Sequence, residues 1–337
     1  MPSTLDSFVL PDLLSVVPYE HSFNSAHYEQ AMKESSAWVN SYDIVPEHKR
    51  AYFEQGDIEL TCAHVYPYAD FDELRTAMNL ADLIFVIDDV SDDQDGRGAC
   101  ETGQVFLSAL RDPDCHDGSP LAQMTKEFRE RLLQFNVPAC YNRLLKHFED
   151  YINAVTVEAG LRERNEVLDP ETYVNLRREN IAARICFGYL GFALGLDLPD
   201  EIFEHPIMMR LHIAAVDTVW LSNDLYSYNR EQAMGHPGFN ILTVLMESEQ
   251  CGLQTAVDLA GARFKQVMDQ FQADKVLLPS WGPEMDAVVA KFVRALETWI
   301  IGFIVWSFET TRYFGGLGEE VKRTRVVKLF PKHEVDH

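Results

Sequence analysis

The stretch that governs this sequence is Leu83-Ile84-Phe85-Val86-Ile87-Asp88-Asp89-Val90-Ser91-Asp92-Asp93-Gln94-Asp95, an apolar run followed by five aspartates within eight residues. Apolar residues recur every three or four positions from Leu74 to Ile87, which predicts a buried helix. On that helix Asp88 and Asp92 are i,i+4 partners and lie on one face near its end. Two carboxylates about 5 Å apart repel by roughly 3 kcal/mol at an effective dielectric constant near 20. We therefore expect a cation there, and Mg²⁺ prefers such oxygen ligands.

Composition and charge limit the classes of partner. The chain has 337 residues, of which 47% are apolar, and it carries a formal net charge of −24 with a pI near 4.7. That length and apolar content suffice for a large buried core. No basic stripe is available to neutralise nucleic-acid phosphates, so a nucleic-acid partner is not expected. An anionic substrate would need metal ions or a local cluster of arginines.

Cysteine usage and segment lengths indicate a cytoplasmic protein. The six cysteines form no C-x-x-C pair, which favours free thiols in a reducing compartment. The first basic residue is Lys33, so the N-terminus lacks the basic region of a signal peptide. The longest uncharged apolar-rich run, Thr298 to Phe308, is too short to cross a bilayer, and we expect no stable membrane insertion.

Helical periodicity dominates the rest of the chain and predicts an all-α protein. The sequence shows no convincing strand alternation and no repeat of fixed period, and we expect a single bundle of about ten or more helices. The expected organisation is an N-terminal arm over residues 1–20, one main domain over residues 21–320 and a C-terminal tail over residues 321–337.

Two glycine-bearing segments allow predictions of local structure. Gly96, Gly98 and Gly103 predict a loop over residues 93–103. A helix is expected to begin at Pro170 and to continue towards position 196, with a kink or a close helix approach permitted by its glycines.

A second oxygen-rich set lies in Asn223-Asp224-Leu225-Tyr226-Ser227-Tyr228-Asn229-Arg230-Glu231. Asn223, Ser227 and Glu231 are spaced by four residues, so on a helix successive side chains turn by only about 40° and point the same way. An amide, a hydroxyl and a carboxylate then offer three oxygens to one Mg²⁺. An Asn within an apolar helix is mildly unfavourable, which favours a functional role. The stretch therefore predicts a metal site, with Arg230 beside it as a partner for a phosphate.

Together the two motifs resemble those of class I terpene synthases. Asp88-Asp89-Val90-Ser91-Asp92 is similar to the aspartate-rich motif of that family, and Asn223, Ser227 and Glu231 match its N-D-x-x-S-x-x-x-E motif at every defining position. The separation of about 135 residues between the motifs is also typical of the family. The resemblance covers most of the chain and is strongest to fungal, basidiomycete-type sesquiterpene synthases. It implies a single-domain class I terpenoid synthase bundle around a central apolar cavity.

Two further matches support the resemblance. In the family an arginine about 46 residues upstream of the second motif senses pyrophosphate, and Arg177 lies at that spacing. The family also carries an Arg-Tyr pair some 80–90 residues after the second motif, which Arg312-Tyr313 matches. Where the family often has Thr and Gly after the sensor, this chain has Asn180 and Ala182, so the helix break there is expected to differ in detail.

The resemblance implies a reaction and a set of ligands. The reaction is Mg²⁺-dependent ionisation of farnesyl diphosphate, cyclisation of the carbocation to a sesquiterpene hydrocarbon or alcohol, and release of pyrophosphate. Three Mg²⁺ ions are expected, with Mn²⁺ as an alternative. The expected metal ligands are Asp88, Asp92, Asn223, Ser227 and Glu231, and the expected pyrophosphate partners are Arg177, Arg230, Arg312 and Tyr313.

Aromatic side chains and mobile segments complete the expected site. The faces of Phe85 and Trp306 are expected to line the cavity and stabilise a carbocation, with Phe308 and Trp220 as further candidates. The loop after Asp92 and the segment 232–239 are expected to become ordered when diphosphate binds. A monomer or a homodimer is expected.

Three alternatives remain at this point. A synthase could release a linear terpene alcohol of the nerolidol or linalool type from farnesyl or geranyl diphosphate. A chain-elongating prenyltransferase would be expected to carry a second aspartate-rich motif, where this chain has the Asn, Ser and Glu set. A non-catalytic helical binding protein would need no such set and would consume no diphosphate.

Overall fold

The computed structural model describes residues 7–42, 44, 56–92, 94–112, 114, 117–164, 166–235 and 238–331, and the side chain of Asp92 also lies outside the described part. Its α-helices are α1 (Leu13–Val16), α2 (Tyr28–Asn40), α3 (Ile58–Val65), α4 (Phe71–Asp92), α5 (Gly96–Arg111), α6 (Pro120–Leu133), α7 (Pro138–Glu163), α8 (Pro170–Asn180), α9 (Ala183–Gly188), α10 (Leu190–Leu194), α11 (Asp200–Phe203), α12 (Pro206–Ala233), α13 (Ile241–Ser248), α14 (Leu253–Val276), α15 (Pro283–Glu309), α16 (Thr311–Phe314) and α17 (Gly318–Thr324). A 3₁₀ turn covers Gly315–Leu317, and the strands are β1 (Ser7–Val9) and β2 (Val326–Lys328). The prediction of an all-α bundle is confirmed.

The two motif helices form much of the core. Helix α4 buries Leu74, Leu83 and Val86 completely and packs against α2 and α3. Helix α12 begins at Pro206, whose missing N–H costs nothing at a first helical position, and it packs against α14 and α15. Because α12 is surrounded by other helices, most of its side chains are buried, including polar ones in the second motif. Both motifs are therefore held by extensive packing.

The predicted loop over residues 93–103 is wrong for most of its length, because helix α5 begins at Gly96. The Asp95 carboxylate caps this helix by accepting a hydrogen bond of 2.7 Å from Gly98 N. Gly103 serves close helix packing instead of a turn, since a Cβ there would lie 2.2 Å from Cγ2 of Ile152 on α7. Position 93 itself lies outside the described residues.

The structure also contains a small sheet, which the sequence did not reveal. Strands β1 and β2 pair antiparallel in the register Ser7 with Lys328, Phe8 with Val327 and Val9 with Val326. Each strand has three residues, which is too short for an alternating pattern to be recognised in the sequence. The buried core extends through this sheet, from Phe8 to Val327.

The helix expected over residues 170–196 divides into α8, α9 and α10. Helix α8 begins at Pro170, where the Asp169 carboxylate accepts hydrogen bonds from two backbone N–H groups. The break follows Ile181, because Ala182 has a φ of 60°, in the left-handed region that non-glycine residues rarely adopt. The chain therefore changes direction next to Arg177, without a glycine at the break.

Candidate active site

One large cavity of about 890 Å³ collects residues from both motifs. Glu166, Met234 and Glu247 line it and are exposed, so they mark its opening. Tyr66 and Trp299 line it and are buried, so they mark its inner end. Nearly all the residues predicted for the site line this cavity: Phe85, Asp88, Arg177, Asn223, Ser227, Arg230, Glu231, Trp306, Arg312 and Tyr313.

Helix α12 presents the three candidate metal ligands to the cavity. Asn223, Ser227 and Glu231 are one helical turn apart, as their spacing predicts. Ser227 Oγ is buried without a hydrogen bond of normal geometry among the described residues. Glu231 accepts a hydrogen bond of 2.9 Å from Asn240 Nδ2. Burial and the nearby Asp224 carboxylate raise the pKa of Glu231, while Ser227 and Asn240 act in the opposite direction.

Asp224 is the buried anchor of this wall. Its carboxylate accepts hydrogen bonds from Tyr173 Oη, from Arg177 Nε at 2.9 Å and from the backbone N–H of Ile241 at 3.0 Å. These donors belong to α8 and to the first residue of α13, so one carboxylate joins three helices. Asp224 itself is almost completely buried, and the pairing stabilises it there because its charge is met by a guanidinium.

Arg177 connects this anchor to the candidate metal ligands. Besides Asp224, it donates to Asn223 Oδ1 at 2.7 Å and to Asn180 Oδ1 at 3.1 Å. Burial by itself would lower the pKa of Arg177, but the Asp224 carboxylate outweighs it and the pKa is raised. Asn180 in turn donates to Glu158 on α7. The guanidinium is therefore fixed and fully charged beside Asn223.

Arg230 and Arg312 also line this cavity. Burial and the neighbouring Arg312 lower the pKa of Arg230 to about 10. The Arg312 guanidinium lies over the Phe85 ring, with Cζ 4.8 Å from the centroid. Tyr313 is buried, and its hydroxyl accepts a hydrogen bond of 2.8 Å from Asn223 Nδ2. Two guanidinium groups held this close favour an anion between them, since it would offset their mutual repulsion.

A second wall of the cavity is formed by the end of α4. Asp88 and Asp89 line the cavity, and Asp89 is the more deeply buried of the two. Arg162 on α7 also lines the cavity and donates to the backbone carbonyl of Ser91 at 3.4 Å, near the negative end of the helix dipole. The prediction for the Asp92 side chain falls outside the described part, and so does position 93 of the segment expected to close after it, whereas the rest of that segment is described and is helical from Gly96. Positions 236 and 237 of the second closing segment also lie outside the described part.

The aromatic predictions are partly wrong. Phe85 and Trp306 line the cavity, but Trp220 and Phe308 do not. Trp220 is fully buried and its indole N–H donates to Asp217 at 2.7 Å, while Phe308 stacks on Phe314. Both point into the protein core because the cavity lies on another side of their helices. The aromatic residues that the sequence analysis missed are Tyr66, Tyr151, Phe239, Trp299 and Phe303.

Polar residues that support the site were also missed. Asn240 caps α13 by accepting from Leu242 N at 2.9 Å and uses its amide to hold Glu231. An Asn three residues beyond a Pro and before an apolar run is a signal for a helix start, and it could have been recognised. Glu158, by contrast, lies in an ordinary helical stretch, and its link to Asn180 depends on the tertiary fold.

The donor set fits a hard divalent cation. Amide, hydroxyl and carboxylate oxygens are the ligands that Mg²⁺ takes, and the buried Ser227 Oγ has the hydrogen-bonding capacity left for such a partner. No group of three His, Cys, Asp or Glu side chains suited to a metal occurs within the described ranges. The candidate site on α12 is of another kind, because two of its three ligands, Asn223 and Ser227, offer neutral oxygens.

Comparison with known proteins identifies the family. The model of terpene synthase family 2, C-terminal metal binding, matches residues 79–270, which include both motifs. The chain belongs to the terpene synthase family. It is a terpene synthase whose family requires a divalent metal and takes a prenyl diphosphate, and the predicted resemblance and enzyme class are confirmed. Across the described residues, no helix of this terpene synthase has the length and apolarity to span a membrane.

Relatives match this terpene synthase over almost its whole length. Bifunctional terpene synthase Agr4 of Cyclocybe aegerita is 42% identical, over 96% of this chain and 94% of the relative. Sesquiterpene synthase 1 of Postia placenta is 37% identical, over 96% and 95% of the two chains. A 44% identical protein of Coprinopsis cinerea, covered over 98% and 95%, bears the name linoleate 10R-lipoxygenase COP4, which denotes a different activity from the family shown by the matching domain.

Solved structures share the fold. Hedycaryol synthase in complex with HEPES matches with a TM-score of 0.80 at 22% identity, over 90% of this chain and 99% of that one. Linalool/nerolidol synthase from Streptomyces clavuligerus, in complex with 2-fluorogeranyl diphosphate, matches with a TM-score of 0.78 at 21% identity, over 88% and 99%. The expected class I terpenoid synthase architecture is thereby confirmed.

Proposed function

We propose that this terpene synthase ionises farnesyl diphosphate with the help of Mg²⁺ and converts the carbocation to a sesquiterpene. The observation that carries the proposal is the convergence of Asp88, Asn223, Ser227, Glu231 and three arginines on one cavity that continues into an aromatic end. Relatives at 36–37% identity are named as sesquiterpene synthases, which supports a fifteen-carbon substrate.

The positively charged residues of the cavity would bind the pyrophosphate. Arg177, Arg230 and Arg312 would bind the pyrophosphate oxygens, since guanidinium groups give paired, charge-assisted hydrogen bonds to such oxygens. Tyr313 Oη would donate a further hydrogen bond. Their preorganised charge stabilises the leaving group as the C–O bond breaks, with little reorganisation.

Metal ions would be held by the residues of both motifs. Asn223, Ser227 and Glu231 would hold one Mg²⁺, and Asp88 with Asp92 would hold the others, to a total of three. When bound, these ions neutralise charge on the leaving pyrophosphate as it develops. The hydrogen bonds from Arg177 to Asn223 and from Asn240 to Glu231 would orient those side chains as ligands.

The aromatic end of the cavity would stabilise and shape the cation. The faces of Phe85, Trp299, Phe303 and Trp306 present quadrupoles to a positive charge and offer no strong nucleophile. Buried walls also exclude water, which favours cyclisation over early capture. The cyclic product is therefore preferred over a linear alcohol.

The test is incubation of the purified protein with Mg²⁺ and, separately, geranyl, farnesyl and geranylgeranyl diphosphates. Products are identified by gas chromatography with mass spectrometry, and released pyrophosphate is quantified. We expect a cyclic sesquiterpene from farnesyl diphosphate, with one pyrophosphate released per product molecule and no turnover in EDTA. Nerolidol as the main product would refute the cyclisation part of the proposal and would support the alternative of a linear alcohol. Absence of both terpene and pyrophosphate would refute the proposal.

A further inference from the structure

The second motif has a back face that the proposed chemistry does not use. At about 100° per residue, Asn229 and Gln232 lie about 200° and 140° around the axis of α12 from Ser227, so they point away from the cavity. Both are polar and nearly buried, with exposed fractions of 2% and 7%. Buried amides of this kind need partners, and both amides find partners in the chain segment that includes β2.

The C-terminal end supplies backbone groups to both amides. Asn229 Nδ2 donates to Lys328 O at 2.9 Å, and Asn229 Oδ1 accepts from Phe330 N at 2.7 Å. Gln232 Nε2 donates to Phe330 O at 2.9 Å. Asn229 thus pairs with the chain as a neighbouring strand would, through one donor and one acceptor. The segment following β2 is held directly against the last two turns of α12.

The N-terminal end completes the arrangement. Phe8 on β1 pairs with Val327 in the sheet and packs edge-on against Tyr228, with ring centroids 6.3 Å apart. Val9 exchanges two hydrogen bonds with the Gln254 side chain on α14, at 2.8 and 3.0 Å. The sheet is therefore fixed on one side to α12 and on the other side to α14. We call residues 7–9 together with residues 326–330 the terminal clasp.

We propose that the terminal clasp positions the metal-binding end of α12, and that Asn229 and Gln232 are positioning residues for Ser227 and Glu231. This proposal rests on the proposed function, because it concerns the same metal site. It assigns a role to two chain ends that are far from the motif in sequence and that do not line the cavity.

The physical reason lies in where the ligands sit on the helix. Helix α12 ends at Ala233, only two residues after Glu231, and the last carbonyls of a helix lack partners within it. Such ends fray, and a frayed turn would move Glu231 and Arg230 together. The clasp holds the same turn through its opposite face, so the cavity face is left clear while the backbone is fixed.

The matched test compares Phe330→Pro with Phe330→Ala in the full chain. Proline removes the N–H that Asn229 accepts, whereas alanine keeps both backbone groups and alters only a partly exposed side chain. Binding of Mg²⁺ with inorganic pyrophosphate is measured by titration calorimetry, and turnover of farnesyl diphosphate is measured against Mg²⁺ concentration. We expect Phe330→Pro to weaken metal binding about three- to tenfold, as for one or two lost hydrogen bonds, and Phe330→Ala to match the wild type.

A second variant covers the case in which Phe330→Pro does not fold. Gln254→Ala releases β1 from α14 at a site remote from the cavity, and we expect a smaller loss of Mg²⁺ affinity, about twofold. Lower melting temperatures with unchanged Mg²⁺ affinity in the folded variants would overturn the clasp proposal, because the clasp would then be merely structural. If the wild type itself releases no pyrophosphate, the proposed function fails instead.

Discussion

The two walls of the cavity hold their ligands in different ways. On α12, Asn223 and Glu231 are fixed by hydrogen bonds from Arg177 and Asn240 before any ligand binds. On α4, Asp88 follows an apolar run and stands at the negative end of a helix dipole, next to a second carboxylate. The α12 wall is stabilised by its own protein partners. The α4 wall concentrates like charge, which a cation would relieve.

This difference indicates a division of labour. A preorganised wall fixes geometry, and its residues contribute to both folding and catalysis. A wall of clustered charge contributes to binding but opposes its own folding, since carboxylates near one another raise the free energy of the folded state. Substitutions in the α12 wall should therefore lower both activity and stability, whereas substitutions in the α4 wall should lower activity more than stability.

The largest expected effect is on turnover, and Asp88→Ala and Asn223→Ala should share it. Each removes a proposed metal ligand, so pyrophosphate release should fall by at least about 10³-fold. Their stabilities should differ. Asn223→Ala deprives Arg177 and Tyr313 of a partner and should lower the free energy of unfolding by about 1–2 kcal/mol. Asp88→Ala also relieves repulsion among neighbouring carboxylates and should therefore lower it by less.

Turnover, helical content by circular dichroism and urea denaturation are the measurements. Asp95→Asn is the control from the same acidic stretch, because asparagine keeps the oxygen that caps α5, and it should retain full activity. Wild-type turnover in Asn223→Ala would remove the metal assignment on α12. Equal destabilisation of the two alanine variants would remove the distinction between the walls.

The next effect is on stability and comes from the anchor of the α12 wall. Asp224→Asn leaves the Arg177 guanidinium, 11% exposed, without its charge partner and should lower the free energy of unfolding by about 3 kcal/mol. Asp217→Asn is the matched control, since Asp217 pairs with the more exposed Arg178 outside the cavity, and it should cost about 1 kcal/mol. Only Asp224→Asn should also weaken pyrophosphate binding, as measured by calorimetry, and equal binding by the two variants would contradict this role.

Much of the fold and of the metal motifs could be predicted from the sequence because they depend on local periodicity. The four-residue spacing of Asn223, Ser227 and Glu231 needs only a regular helix to bring the side chains together. Helix starts were marked by pairs such as Asp169 with Pro170. The α4 helix followed from the apolar spacing before Asp88.

What could not be predicted depends on contacts between distant segments. Gly103 is typical of a loop in the sequence alone, and its role in helix packing depends on Ile152, which belongs to another helix. Trp220 and Trp299 are both apolar helix residues, and only the tertiary packing decides which one faces the cavity. The pairing of β1 with β2 joins positions more than 300 residues apart, and strands of three residues carry no periodic signal.

A smaller expected effect is the dependence of stability on acid pH, which involves a buried histidine on α12. His212 on α12 stacks on His147 of α7, with centroids 5.9 Å apart, and burial lowers the pKa of both, that of His147 to about 3. Arg184 and Arg143 lower both values further, and only Asp150 opposes them at His147. Because the folded pKa is depressed, the neutral histidines stabilise the fold above about pH 6.5, and this stability is lost as the pH falls towards 3.

His147→Leu should therefore reduce the acid sensitivity of the fold. Between pH 7 and pH 4.5 the loss of unfolding free energy should be about 2 kcal/mol smaller than in the wild type, since the unfolded variant has one imidazole fewer to bind a proton that the folded state does not bind. Urea denaturation across this range provides the measurement. His212→Leu should act in the same direction, and an acid loss identical to the wild type in both variants would contradict the assignment.

The smallest expected effect concerns the backbone at Ala182, where the chain turns beside Arg177 on the α12 side of the cavity. Ala182 has a φ of 60°, which costs an alanine about 1 kcal/mol relative to glycine. Ala182→Gly should therefore raise the free energy of unfolding by about 0.5–1 kcal/mol in urea denaturation. Ala183→Gly is the adjacent control within α9, where helical geometry makes glycine unfavourable, and it should lower the same quantity by about 1 kcal/mol. Opposite signs at neighbouring positions would show that the strain belongs to the break itself, whereas destabilisation by both glycines would show that Ala182 contributes more through its buried methyl group than it costs through its backbone.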